Sequence, residues 1–200
     1  MNRGIDLMQI GVLALQGDVA EHLHAVEACG VKALAVKKKE QLETVDGLII
    51  PGGESTTVGK LLVKYGLDDA IRERAQAGMP VFGTCTGLIL MARDIIGSEQ
   101  PRLSLIDIHV QRNAFGRQVD SFEADLVIEA VGGPPPFRAV FIRAPYIESV
   151  DPGVEVLAEY KGKAVMARQE GRLVAAFHPE LTGDDRVHRY FVDMVREAVG

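Results

Sequence analysis

A chain of 200 residues with a net charge of −6 is the size of one globular domain and is too acidic for nucleic acid to be its main partner. Its composition, 47% hydrophobic and 25% charged, is ordinary for a soluble protein, and no apolar run approaches the roughly 20 residues of a membrane span. Two cysteines are too few for a disulfide framework. We therefore predict a single cytoplasmic domain over residues 1–200 with no membrane partner, in which residues 1–7 are a loose leader before an alternative start at Met8.

The first half of the chain alternates short apolar strands with amphipathic helices, a pattern that favours βαβ units and a parallel sheet. The predicted strands are residues 10–15, 31–36, 48–50 and 81–84, and the predicted helices are residues 18–29, 54–65 and 68–77. The second of these helices begins at a run of hydroxyl residues, Ser55 to Thr57, which we expect to act as its N-terminal caps.

The second half of the chain is rich in predicted strands. These strands are residues 103–111, 122–131, 139–142, 154–160, 164–169 and 173–177, and a closing helix spans residues 184–199. The last two strands form a hairpin around Glu170-Gly171. The predicted fold is thus α/β and flavodoxin-like, with three layers: a mostly parallel central sheet flanked by helices, and extra β-strands in the second half.

Cys85 is the first candidate for chemistry. It lies in Gly83-Thr84-Cys85-Thr86-Gly87, between an apolar strand and an apolar helical pattern. Glycines on both sides of the thiol permit a sharp strand–turn–helix elbow, as in the Gly-x-Ser-x-Gly elbow of serine hydrolases. A thiol at a helix N-terminus is favoured as the nucleophilic thiolate. The alternative is a cysteine that is merely buried in a turn.

The second candidate is His178-Pro179-Glu180, directly after the last predicted strand. Residues two apart on an extended chain face the same side, so Glu180 can orient the His178 ring. Catalytic groups gather beyond the carboxyl ends of parallel strands, where Cys85 also lies. This is the Cys-His-acid arrangement of nucleophilic catalysis. A metal site built from Cys85, His178 and Glu180 is the weaker alternative, because the sequence offers no partner set of ligands at metal-binding spacing.

The third candidate is Pro51-Gly52-Gly53-Glu54, again directly after a strand. Glycines let backbone N–H groups approach a ligand closely, so Gly53 and the Thr86 N–H can form an oxyanion hole. A tight turn that only starts a helix is the alternative for this segment alone. Together the three segments predict acyl transfer from a carbonyl substrate through a thioester.

The chain resembles the class I, triad-type glutamine amidotransferases, and within them it is most similar to the glutaminase subunits of pyridoxal 5′-phosphate synthase. The resemblance extends from about Gln9 over essentially the whole chain. It is carried by the runs at residues 51–57, 83–85, 111–118, 141–145 and 178–181, of which those containing Arg112 and Arg143 single out this subfamily.

The resemblance implies a role for each matching residue. Cys85 would be the nucleophile, His178 the base and acid, and Glu180 the carboxylate that orients it. The residues implied to bind L-glutamine are Gly52, Gly53, Glu54, Arg112, Ile142 and Arg143. Gln16 would belong to a region that docks the synthase subunit, which receives the ammonia and activates hydrolysis. No cofactor is implied.

One departure from the resemblance is Thr86, where this family usually carries alanine. Its N–H can still serve the oxyanion hole, and its hydroxyl can crowd the elbow or alter activation. Three rival functions remain open at this point: a glutaminase of histidine or purine synthesis, a cysteine hydrolase or chaperone of related fold, and a non-enzymatic binding subunit whose elbow Thr86 has spoiled.

Overall fold

The computed structural model describes residues 8–112 and 121–200. The predicted leader, residues 1–7, and most of the run at residues 111–118 lie outside the described residues. The strands are β1 (Gln9–Leu13), β2 (Lys32–Val36), β3 (Gly47–Ile50), β4 (Val81–Thr84), β5 (Ala92–Ile95), β6 (Ile106–Gln111), β7 (Ser121–Leu126), β8 (Phe137–Ile142), β9 (Tyr146–Val150), β10 (Glu155–Tyr160), β11 (Lys163–Gln169) and β12 (Arg172–Ala175). The helices are α1 (Val19–Ala28), α2 (Lys39–Leu42), α3 (Ser55–Tyr65), α4 (Leu67–Gln76), α5 (Thr86–Met91) and α6 (Arg186–Val199).

The centre of the fold is a 10-stranded mixed sheet in the order β2-β1-β3-β4-β12-β11-β9-β6-β5, with β10 paired to β11. The strands from β2 to β12 in this order are all parallel. Antiparallel pairing begins at β11 and continues to β6, and β7 and β8 form a separate hairpin. The prediction of an α/β fold with added strands in the second half is confirmed.

Several predicted boundaries were wrong. The strand predicted over residues 122–131 ends at Leu126, because its pairing with β8 ends at Leu126 and Phe137 and the chain then turns into a 3-10 helix at Glu129–Val131. β5 and β9 were not predicted, and β5 follows α5 directly at Ala92. β5 has four residues and follows a helix of six, so neither element is long enough for its hydrophobic periodicity to be recognised in the sequence.

The parallel half of the sheet collects the candidate residues at one edge. β1, β3, β4 and β12 are neighbours with matched register, such as Ile50 beside Gly83 and Ala175 beside Thr84. β3 and β4 are buried along their whole length, as expected for strands covered on both faces. The segments that follow these four strands contain Gln16, Gly53, Cys85 and His178. None of the helices in the described part of the chain combines the length and apolar character that a bilayer crossing requires.

Candidate active site

Cys85 lies at a sharp elbow between β4 and α5. Its backbone has a φ of 48°, a left-handed conformation that is uncommon outside glycine. A Cβ at Gly83 would come within 2.5 Å of the Gly87 carbonyl carbon, and a Cβ at Gly87 would come within 2.0 Å of the Ile50 oxygen. The two flanking glycines are therefore required by close backbone packing, and they place the thiol at the start of α5.

His178 and Glu180 form a buried pair next to Cys85. His178 Nδ1 lies 2.7 Å from Glu180 Oε1, which fixes that nitrogen as the donor to the carboxylate. Burial lowers the pKa of His178, but the neighbouring Cys85 thiol and Glu180 carboxylate outweigh burial and raise the pKa to about 10. The other ring nitrogen, Nε2, has no partner of hydrogen-bond geometry among the described residues. It is the atom available for proton exchange on the side of the thiol.

A second carboxylate approaches the same imidazole. Asp18 Oδ2 lies 3.3 Å from His178 Nδ1, beyond the shorter contact with Glu180. Asp18, His178 and Glu180 thus place one potential ligand atom each within 4.8 Å of one another, a spacing that could hold a metal ion. The hydrogen bond between His178 and Glu180 accounts for most of this proximity without an ion. This contact of Asp18 was not predicted from the sequence.

The loop from Pro51 to Glu54 packs against both His178 and the loop that follows β1. A Cβ on Gly52 would come within 2.5 Å of His178 Cε1, and a Cβ on Gly17 would come within 1.5 Å of the Gly52 oxygen. Only glycine fits at either position. The loop after β1 therefore lies directly against the loop at residues 51–54, which is predicted to form half of an oxyanion hole.

The peptide group between Gly53 and Glu54 is held at both ends. The Thr86 hydroxyl donates to the Gly53 carbonyl oxygen at 2.5 Å. The Glu54 N–H donates to Gln16 Oε1 at 2.9 Å. The hydroxyl that departs from the family pattern thus contacts the predicted oxyanion loop rather than crowding the elbow.

Glu54 is the N-terminal cap of α3, which corrects the prediction of caps at Ser55 to Thr57. Its carboxylate accepts hydrogen bonds from the backbone N–H groups of Thr56 and Thr57 and from the Thr57 hydroxyl. These hydrogen bonds lower the pKa of Glu54 to about 2, with the Thr57 hydroxyl contributing most. The carboxylate is therefore ionised, and its hydrogen bonds are made to the first turn of α3.

A cavity of about 620 Å³ brings the predicted site residues together. Those that line it are Gln16, Gly53, Glu54, Cys85, Thr86, Arg112, Ile142, Arg143 and His178. The two that do not line it, Gly52 and Glu180, are both in contact with His178. Residues that are far apart in sequence thus form one pocket with a thiol, an imidazole and two guanidinium groups.

Gln100 supports one of these guanidinium groups and was not predicted. Arg112 Nη1 donates to the buried Gln100 Oε1 at 2.7 Å. The same oxygen accepts from the Ser55 hydroxyl at 3.2 Å, which connects the arginine to the start of α3. No sequence pattern around Gln100 indicates these contacts, because they join its loop to the residue after β6 and to the start of a helix 45 residues away.

Two buried histidines behind Glu180 were also missed. His22 of α1 and His188 of α6 are almost completely buried, and His22 Nδ1 lies 2.9 Å from His188 Nε2. Both lie on the buried faces of amphipathic helices, where a histidine is normally read as a core residue. Their proximity to Glu180 could be found only from the structure.

Comparison with known proteins agrees with the resemblance seen in the sequence. Residues 12–197 match the SNO glutamine amidotransferase family. A protein of Moorella thermoacetica named "Pyridoxal 5'-phosphate synthase subunit PdxT" is 59% identical over 188 residues, covering 94% of this chain and all of the relative. A protein of the same name from Pelotomaculum thermopropionicum is 61% identical over 186 residues, covering 93% of this chain and 94% of the relative.

Solved structures agree as well. A crystal structure of a glutamine amidotransferase superposes with a TM-score of 0.89 at 51% identity, covering 94% of this chain and 98% of the other. The structure of PurLQS from Thermotoga maritima has a TM-score of 0.67 at 16% identity, covering 96% of this chain and 97% of the other, and supports the fold alone. The predicted family is confirmed: the chain belongs to the SNO glutamine amidotransferase family.

Proposed function

We propose that this chain hydrolyses L-glutamine to L-glutamate and ammonia through a thioester at Cys85, as the glutaminase subunit of a pyridoxal 5′-phosphate synthase. The observation that supports this most directly is the single cavity that contains the Cys85 thiol, the His178 imidazole and the side chains of Arg112 and Arg143. Hydrolysis of an amino-acid side-chain amide requires a nucleophile and a base, and a guanidinium group can bind the α-carboxylate.

The proposed reaction has two halves. Cys85 Sγ attacks the side-chain amide carbon of glutamine, while His178 takes the thiol proton and gives it to the nitrogen that leaves as ammonia. Water then attacks the thioester carbon, His178 takes its proton, and the proton returns to the thiolate as glutamate is released. Glu180 holds Nδ1 of His178 throughout, which keeps Nε2 as the nitrogen that exchanges protons.

The other residues of the site are proposed to bind the substrate and to stabilise the oxyanion. In this proposal Arg112 and Arg143 bind the α-carboxylate of glutamine, since guanidinium groups pair well with carboxylates. Gly52, Gly53, Glu54 and Ile142 line the remainder of the glutamine site. The N–H groups of Gly53 and Thr86 stabilise the tetrahedral oxyanion, for which donors must be fixed in advance. No cofactor takes part in this half-reaction.

The proposed partner is the synthase subunit that consumes the ammonia. Support comes from the relatives, which are named as subunits of pyridoxal 5′-phosphate synthase and are matched over nearly their whole length. The same names argue against a glutaminase of histidine or purine synthesis. Gln16 lies in the loop proposed to dock the synthase subunit, and its side chain already contacts the Glu54 N–H.

The proposed compartment is the cytoplasm, where free buried thiols such as those of Cys29 and Cys85 are common.

The decisive experiment measures ammonia release from glutamine by this chain with and without the synthase subunit of a close relative. We expect Cys85→Ala to abolish release and Cys29→Ala, which removes the other buried thiol, to retain it. A glutamine-like electrophile should label Cys85 in the wild-type chain. A folded wild-type chain that neither releases ammonia with the synthase nor labels at Cys85 would point to a non-enzymatic subunit.

A further inference from the structure

A buried polar chain continues beyond Glu180, away from the cavity. His22 Nε2 lies 3.0 Å from Thr84 Oγ1 and 3.4 Å from Glu180 Oε2. On its other side, His22 Nδ1 lies 2.9 Å from His188 Nε2. The Glu180 and His22 side chains are both inaccessible to solvent. One imidazole therefore contacts the orienting carboxylate of the proposed triad and also the residue that precedes Cys85.

Glu180 Oε2 is buried and has no partner of hydrogen-bond geometry among the described residues, and His22 Nε2 approaches it to 3.4 Å. A carboxylate oxygen can only accept, so His22 can support it only in the tautomer with the hydrogen on Nε2. In that tautomer the neutral ring accepts at Nδ1 from His188 Nε2. Burial, followed by the charges of His188 and His178, lowers the pKa of His22 well below its usual value. Burial likewise lowers the pKa of His188 to about 4. Both rings are therefore neutral at pH 7.

We infer that His22 is a positioning residue that holds Oε2 of Glu180 and Oγ1 of Thr84, and that His188 fixes the tautomer in which it can do so. This inference rests on the proposed function, because it assigns His22 to the support of the proposed triad. The physical reason is the cost of a buried carboxylate: an oxygen without a donor favours protonation of the acid. Glu180 then loses the negative charge that supports the His178 imidazolium.

Other charged groups near Glu180 do not replace His22. On the cavity side His178 Nδ1 is bound to Oε1, and Asp18 is a second negative charge beside the same ring. On the opposite side, Glu180 and His188 border a smaller cavity of about 300 Å³. Its other titratable lining residues are Glu21, His24, Asp184 and Asp185. The acidic members of this set would raise the pKa of Glu180 further, and burial already raises it.

His22→Gln and His22→Asn form a matched pair of variants. The glutamine amide nitrogen can occupy the position of Nε2 and donate to Glu180, whereas the shorter asparagine amide reaches only the position of Nδ1. Both variants bury an amide in the same place, so a merely structural role predicts similar effects. We would measure kcat, KM and the pH profile of kcat/KM for glutamine in the presence of the synthase subunit. We would also measure the pH profile of Cys85 alkylation by iodoacetamide, which requires no turnover.

The inference predicts that His22→Asn lowers kcat at least tenfold with KM within twofold of wild type, and that His22→Gln stays within about threefold in both. The acidic limb of both pH profiles should move to higher pH in His22→Asn and remain in place in His22→Gln. If His22→Asn does not fold, the double variant H22F/H188F, which replaces the polar pair by apolar rings, should show the same shift.

The outcomes separate the two proposals. A wild-type chain without glutaminase activity, or a Cys85→Ala variant that retains it, overturns the proposed function, and the alkylation profile still tests His22. A wild-type pH profile of Cys85 alkylation in His22→Asn or in H22F/H188F overturns the role of His22 while leaving the proposed function intact. Equal losses of kcat in His22→Asn and His22→Gln also overturn the role of His22, because they would show that only packing at this position matters.

Discussion

Thr86 provides a sharp test of how the elbow works, because alanine and serine differ at this position by a single hydroxyl. Thr86→Ala removes the donor to the Gly53 carbonyl oxygen, and Thr86→Ser keeps it. In the proposed mechanism the N–H groups of Gly53 and Thr86 share the oxyanion. The hydroxyl therefore connects the two residues whose backbone groups must be fixed before the reaction.

The size of the effect follows from the contact. The hydrogen bond is 2.5 Å long and joins a buried side chain to a carbonyl in an exposed loop. A neutral hydrogen bond contributes about 1 kcal/mol net, which corresponds to a factor of about five in rate if it is needed only in the transition state. The stability effect should be smaller, because water can reach the exposed Gly53 carbonyl once the hydroxyl is gone.

The assay is steady-state glutamine hydrolysis with the synthase subunit present, together with thermal unfolding of the free chain. We expect kcat to fall about fivefold in Thr86→Ala with little change in KM, and to remain within twofold of wild type in Thr86→Ser. An alanine variant as fast as the serine variant would refute the reasoning. It would mean that Gln16, which binds the other end of the same peptide group, fixes it alone.

Three further outcomes are expected. Gln100→Leu removes the acceptor for Arg112 and should raise KM for glutamine five- to tenfold with kcat within twofold, which a glutamine titration would measure. Gly17→Ala places a Cβ 1.5 Å from the Gly52 oxygen at a φ of 100°, so hydrolysis should fall at least tenfold, whereas an unchanged rate would mean that this loop can move freely. The pKa of His178 is raised to about 10 from an unfolded value near 6.5, so the stability contributed by its protonated ring is fully present below pH 6.5 and is lost as the pH rises to 10. The melting temperature should therefore fall over this range in the wild-type chain, and should fall less in His178→Asn.

The sequence was sufficient for the parts of the site that depend on local rules. Gly83 and Gly87 can be read as an elbow because close backbone packing admits only glycine, and the structure places both against neighbouring backbone. The positions after parallel strands could be assigned to one edge of the sheet, since carboxyl ends of such strands meet there. Arg112 and Arg143 were assigned to substrate binding from the family resemblance alone, because no local rule distinguishes a substrate anchor from a surface arginine.

The residues that were missed share a physical cause. Gln100, His22 and His188 act through side-chain contacts with other elements, which span 12 residues for Arg112 with Gln100, 45 for Ser55 with Gln100 and 166 for His22 with His188. Hydrophobic periodicity predicts that a helix position is buried, but it does not predict which polar side chain contacts that position. The cap at Glu54 was missed for a related reason, because preference tables favour short hydroxyl side chains at that position over a longer carboxylate.

The loop after β1, which we propose as the docking region, is in direct contact with the proposed active site. Gln16 binds the Glu54 N–H, Gly17 lies against the Gly52 carbonyl, and Asp18 approaches His178. Each contact reaches a different part of the proposed machinery, yet all three come from consecutive residues, of which Gln16 is exposed. We therefore expect a partner that repositions this loop to move the proposed oxyanion loop and the imidazole together. Such coupling needs no long pathway through the core, because the surface loop and the reactive groups are in direct contact.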